Sequence, residues 1–150
     1  MDRYFDEALK LAQNGVNKKE GGPFGAVVVD NKGRIIGYGN NKVLKNNDPT
    51  CHAEIVAIRD ACKAINSYDL SGCVIYTTSE PCPMCISAII WSNIKEVYYA
   101  TNRKEVDKIG FRDEDIYDYL EGKSKKIIKI ERIDNKECKE LLESYKNTIY

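Results

Sequence analysis

The chain has 150 residues and a mass of 17.0 kDa; 43% of its residues are hydrophobic, 31% are charged, and 23 basic side chains balance 23 acidic ones. That length suits one domain burying roughly two thirds of its unfolded surface without disulfide staples, and the composition excludes intrinsic disorder. The longest apolar run, Ile86 to Trp91, is interrupted by Ser87 and falls far short of the roughly 20 residues of a spanning helix; the charged opening Met1 to Glu7 lacks a secretory apolar region, so a cytoplasmic protein with no membrane partner is expected.

Phe5, Ala8, Leu9 and Ala12 recur at helical spacing from Asp2 to a stop at Asn14-Gly15. After Gly21-Gly22-Pro23-Phe24-Gly25, the runs Ala26 to Asp30 and Arg34 to Tyr38 form a hairpin around Asn31-Lys32-Gly33. Asn40 to Asp48 reads as a loop. Asp48 then serves as an N-cap and Pro49 as a first-turn residue for a buried helix over Thr50 to Ile65. Cys73 to Thr77 reads as a central strand, Pro83 to Ser92 as a second buried helix, and Glu96 to Ala100 as a strand, which together make a βαβ unit. Asp113 to Leu120 is expected to be helical, Ile127 to Ile133 extended, and Lys136 to Tyr145 helical, followed by a short tail. The pattern predicts a single α/β domain over residues 1–150: a three-layer α/β/α arrangement with a mixed sheet of about five strands.

The charge is even along the chain, and the only dense basic cluster is Lys123, Lys125, Lys126, Lys129 and Arg132. A solvated strand face explains it better than a phosphate-binding surface, so a nucleic-acid partner is not expected. Six cysteines in a cytosolic chain point to metal or thiol chemistry for some of them.

Two motifs open the two buried helices: His52-Ala53-Glu54, and Pro81-Cys82-Pro83-Met84-Cys85. Cys82 and Cys85 are three residues apart on a first helical turn, so their sulfurs converge, and the positive end of the helix favours thiolates there. With the imidazole of His52, the chain's only histidine, they provide three of the four ligands of a Zn²⁺ ion and leave one position open, as in a catalytic site. Zinc lowers the pKa of bound water to about 7 and so supplies hydroxide. Glu54, two residues from His52, is placed to take and pass on the proton rather than to ligate. His-x-Glu followed by Pro-Cys-x-x-Cys is the established signature of zinc-dependent nucleobase deaminases, so this step matches a known pattern. A redox dithiol has no use for His52 or Glu54. A structural zinc site needs a fourth ligand, for which Cys51, Cys73 or Cys138 is available.

These residues resemble the cytidine deaminase-like superfamily and, within it, the branch of small guanine deaminases. The resemblance is carried by Gly21 to Val27, Asn46 to Thr50, His52-Ala53-Glu54, Glu80 to Cys85 and Ser87-Ala88-Ile89. More selective are Trp91, the segment Gly110-Phe111-Arg112-Asp113 running to Ile116-Tyr117, and the terminal Tyr150. It implies hydrolysis of guanine to xanthine and ammonia, with His52, Cys82 and Cys85 as zinc ligands and Glu54 as the catalytic proton shuttle. Asn41 and Asp113 would hydrogen-bond the purine edge, Phe24 and Trp91 would flank the ring, and Tyr150 would close the site. The resemblance also implies a homodimer in which a C-terminal segment, about residues 136–150, is exchanged between subunits. Cys51 departs from the alanine usual before the zinc histidine and is close enough to compete for the metal. Rival readings are a deaminase of another small base, aminotriazine or nucleoside, a tRNA adenosine deaminase, and a non-catalytic zinc-stabilised binding module.

Overall fold

A computed structural model describes residues 2–124 and 127–150. The first helix, α1 (Asp2–Asn17), leads to strands β1 (Gly25–Val29) and β2 (Ile35–Asn40), which are paired antiparallel with a bulge between Val28 and Val29. A single turn, α2 (Val43–Asn46), precedes helix α3 (Ala53–Ile65), whose chain ends at Asn66 in the left-handed conformation. Strand β3 (Val74–Ser79), helix α4 (Pro83–Trp91) and strand β4 (Glu96–Thr101) form the expected βαβ unit, with β3 and β4 parallel. Helices α5 (Arg103–Lys108), α6 (Asp113–Leu120) and α7 (Lys136–Ser144) complete the chain.

The four strands lie in the order β2-β1-β3-β4, and β1 also pairs antiparallel with β3. Alternation along β1 divides the core between two layers. Ala26 and Val28 face α3 and α4 together with Ile75, Ala57, Ala61 and Ile89, while Val27, Val29 and Tyr76 pack against Tyr4, Phe5 and Leu11 of α1. This is the predicted α/β/α arrangement.

Glycines on β2 bring α3 close to the sheet. A Cβ at Gly39 would overlap the carbonyl oxygen of Ala53, and one at Gly37 would overlap that of Ala57, so the helix backbone rests on bare strand. Gly15 works in the same way and does not end α1: a Cβ there would press on the Asn40 side chain, and the helix continues to Asn17.

The sheet has four strands against the expected five or so, and the difference lies in residues 127–133, which form neither strand nor helix. Their isoleucines pair with neither edge of the sheet and stay exposed; Ile133 is 86% exposed. Of the basic cluster, Lys123 pairs with Glu121, Lys129 with Glu131 and Arg132 with Asp134; Lys125 and Lys126 lie outside the described residues. Acidic neighbours thus interrupt the basic run. Among the described residues no helix is long and apolar enough to cross a membrane.

Candidate active site

Helix α3 starts at Ala53, three residues later than the sequence suggested, because Asp48 spends its carboxylate on a turn. Its Oδ1 accepts from the backbone N–H and the hydroxyl of Thr50, at 2.8 and 2.7 Å. His52 is therefore the extended N-cap residue of α3, and Cys82 is the extended N-cap residue of α4, with Pro83 following at a first-turn position. The N-termini of the two buried helices meet beyond the C-terminal end of β3, the usual position for a ligand site in an open α/β sheet.

His52 Nδ1 lies 3.4 Å from Cys82 Sγ and 3.6 Å from Cys85 Sγ. One ligand atom from each of the three residues falls within 4.8 Å of the others. Hydrogen bonding from Cys85, then from His52, draws Cys82 below the ordinary thiol range, while the bond to Cys82 raises His52. Two sulfurs, one imidazole nitrogen and two helix N-termini that favour thiolates suit zinc. Among the described residues no other cysteine joins the set. Cys51 turns its thiol to Asp48 Oδ2 at 3.3 Å, with Asn46 and Arg59 near its sulfur, Cys73 is in the core, and Cys138 is exposed on α7. None of Cys51, Cys73 and Cys138 therefore serves as the fourth ligand that a structural zinc site requires.

Glu54 is 6% exposed, and burial pushes its carboxyl above the ordinary range. Its Oε1 accepts from the hydroxyl of Thr77 at 3.0 Å and its Oε2 from the Cys85 thiol at 3.4 Å. The carboxylate is thus held beside the metal-ligand set.

A cleft of about 460 Å³, within the size range of small-molecule sites, opens over these groups and is lined by Phe24, Asn41, His52, Glu54, Cys82 and Asp113. Asn41 is 4% exposed, and its Oδ1 accepts from the Val43 N–H at 3.1 Å, which leaves Nδ2 as the group to offer a ligand. Burial, and then the nearby Cys82, raises the Asp113 carboxyl. Phe24 meets Phe111 edge to face, with centroids 5.0 Å apart.

Trp91 and Tyr150 are not brought to this cleft within one chain. They are 66% and 72% exposed and lie together, with ring centroids 6.1 Å apart, beside Tyr68. Conversely, the cleft contains Phe111, Glu80 and Ser79, to which sequence reasoning gave no role, and Thr77 lies beneath Glu54. Ile75, Thr77 and Ser79 share one face of β3, and the change along that face from apolar to hydroxyl was a signal available in the sequence.

An α/β/α domain with a His/Cys/Cys set and a buried glutamate at two helix N-termini defines a zinc hydrolase of the deaminase type. Residues 1–101 match the family described as the cytidine and deoxycytidylate deaminase zinc-binding region, and the chain belongs to that family. It is 48% identical over 116 residues to guanine deaminase of Bacillus subtilis (strain 168), a match covering 77% of this chain and 74% of that one. The X-ray structure of guanine deaminase from Bacillus subtilis superposes with a TM-score of 0.89 and 38% identity, over 99% of this chain and 97% of that one. A tRNA-specific adenosine deaminase from Haemophilus influenzae is 42% identical over 97 residues, covering 65% of this chain and 56% of that one.

Proposed function

We propose that the chain hydrolyses guanine to xanthine and ammonia with zinc as cofactor. The observation that carries this reading is a cleft in which a fixed amide donor, Asn41, and a carboxylate, Asp113, flank Glu54 and the metal ligands. A likeness to guanine deaminase over 99% of the chain supports the choice of a purine base over a tRNA, as does the balanced charge.

His52, Cys82 and Cys85 hold the metal, which when bound supplies a hydroxide nucleophile near neutral pH. Glu54 is the catalytic residue that accepts the proton of the attacking water. It passes that proton to the purine ring nitrogen, then takes the proton of the hydroxyl added at the carbon bearing the 2-amino group and gives it to the departing amine, so that ammonia leaves as the carbonyl forms. Thr77 fixes the carboxylate for these transfers. Asn41 Nδ2 donates to an acceptor on the purine edge, Asp113 accepts from a ring or amino N–H, and Phe24 packs on the ring face.

The working unit in this reading is a homodimer with exchanged C-terminal segments. Helix α7 has no buried residue, and Leu141 and Leu142 are 73% and 77% exposed, so its apolar face needs a partner. β4 is an edge of the sheet, and the isoleucine-rich residues 127–133 have the composition to pair with such an edge on a second copy. Trp91 and Tyr150, outside the cleft of their own chain, would then help to close the partner's.

The test is ammonia release from zinc-replete protein given guanine, with adenine, cytosine, guanosine and a tRNA anticodon stem-loop in parallel. Glu54→Ala, expected to keep fold and zinc but to lose 10²-fold or more in turnover, serves as the control. Guanine turnover that survives in the variant would remove Glu54 from the mechanism. Silence on guanine with turnover of another substrate would transfer the pocket to that substrate, and silence on all would favour a binding module.

A further inference from the structure

Helix α6 contributes Asp113 to the cleft, but it belongs to neither of the two helices that hold the metal ligands. Its position relative to them is determined by a small set of contacts. Asp113 and Tyr117 are four residues apart and so share one helix face. The Tyr117 hydroxyl donates to the carbonyl oxygen of Pro81 at 2.5 Å, and Pro81 immediately precedes the ligand Cys82. The Arg103 guanidinium lies over the Tyr117 ring, 4.4 Å from its centroid, and pairs with Glu114 at 3.1 Å and Glu121 at 3.7 Å, near the two ends of the same helix. The backbone N–H of Arg103 donates to Glu80 Oε2 at 2.7 Å, and Glu80 immediately precedes Pro81.

The turn Glu80-Pro81-Cys82 is thus tied to α6 twice, directly through Tyr117 and indirectly through Arg103. Both ties meet at the Tyr117 ring, and Arg103 adds its ion pairs to Glu114 and Glu121. Burial pushes the Tyr117 phenol up to about 12, so the hydroxyl remains a donor over the whole working pH range.

We propose that Tyr117 is a positioning residue of this enzyme: its hydrogen bond to Pro81, backed by Arg103, sets the distance between the Asp113 carboxylate and the metal ligands. Asp113 is the group that orients the substrate in the function proposed above, and the inference rests on that reading. A substrate gripped by Asp113 is correctly placed for attack only if α6 and the Cys82 turn move as one body, because small misplacements of a bound substrate cost large factors in rate. The same bond steadies the backbone that leads into a metal ligand, so its loss also loosens the metal.

The test compares the wild type with Tyr117→Phe, Asp113→Asn and the double variant, and reads guanine kcat/KM, zinc release to a chelator, and Tm. Tyr117→Phe is expected to keep one zinc per chain and a near-wild-type Tm, to lower kcat/KM about tenfold, and to speed zinc release. Because it acts through Asp113, the double variant should lose much less than the product of the single losses. Arg103→Gln, which leaves the hydroxyl in place, is the second variant should Tyr117→Phe fold poorly, and the same non-additivity with Asp113→Asn is expected. Losses that multiply in full, or wild-type kcat/KM together with wild-type zinc release in Tyr117→Phe, would overturn the proposal. A wild type inactive on guanine would instead overturn the substrate reading, and the zinc-release comparison would then decide the Tyr117 bond alone.

Discussion

Thr77 has no exposed surface and makes its side-chain bond to Glu54, so a hydroxyl on the central strand orients the carboxylate proposed to transfer protons. The switch from apolar to hydroxyl along its face of β3 marks Thr77 only weakly, since a threonine in a strand is ordinary and its partner is 23 residues away. Val has nearly the same shape, so Thr77→Val removes the bond while leaving the strand intact. Expected are a kcat lower by about tenfold, close to the 1.4 kcal/mol that one such bond to a charged group can supply, and unchanged zinc content. Metal analysis beside steady-state kinetics checks this, and an unaltered kcat would mean that packing alone suffices to hold Glu54. The metal ligands, by contrast, were legible residue by residue, because the spacing of Cys82 and Cys85 and the single histidine allow few other uses.

At the scale of elements, the buried helices were legible from their apolar pattern, but their starting residues were not. Asp48 has the chemistry of an N-cap, and only the folded chain shows that its carboxylate closes a turn on Thr50 and leaves the cap position to His52. Helix α5 was missed although Asn102 and Glu105 form a reciprocal capping box, a signal that stands in the sequence. The seat of α3 depends on Gly39, whose missing side chain admits the Ala53 carbonyl beside His52. Gly39→Ala is expected to destabilise the fold by about 1 to 3 kcal/mol and to weaken zinc retention, because it pushes on the very turn that presents His52. Chemical denaturation and chelator competition measure the two effects, and a variant as stable as wild type would show that the helix can shift without cost.

For the whole molecule, the segment after α6 is the part that the single chain leaves exposed. From residue 127 onward every residue is exposed, and Ile133, Leu141, Leu142 and Ile149 are all more than 70% so. Ending the chain at Asp134 is expected to leave zinc bound to His52, Cys82 and Cys85, to convert a dimer to a monomer, and to reduce guanine turnover at least tenfold as Tyr150 is lost. Light scattering and kinetics on the truncated protein check this, and a monomeric wild type would dismiss the exchanged dimer. The sequence by itself determined the layer architecture and marked His52, Cys82 and Cys85 as the candidate metal ligands and Glu54 as the proposed proton-transfer residue, because these readings rest on periodicity and on two short motifs with spacings of two or three residues. Only the tertiary structure decided what stands around that triad: Thr77 under Glu54, Asn41 and Asp113 across the cleft, Phe111 against Phe24, and Tyr117 on Pro81. Those pairings join residues far apart along the chain, and they exist only where sheet register and helix packing bring the strands and helices to one end of the domain.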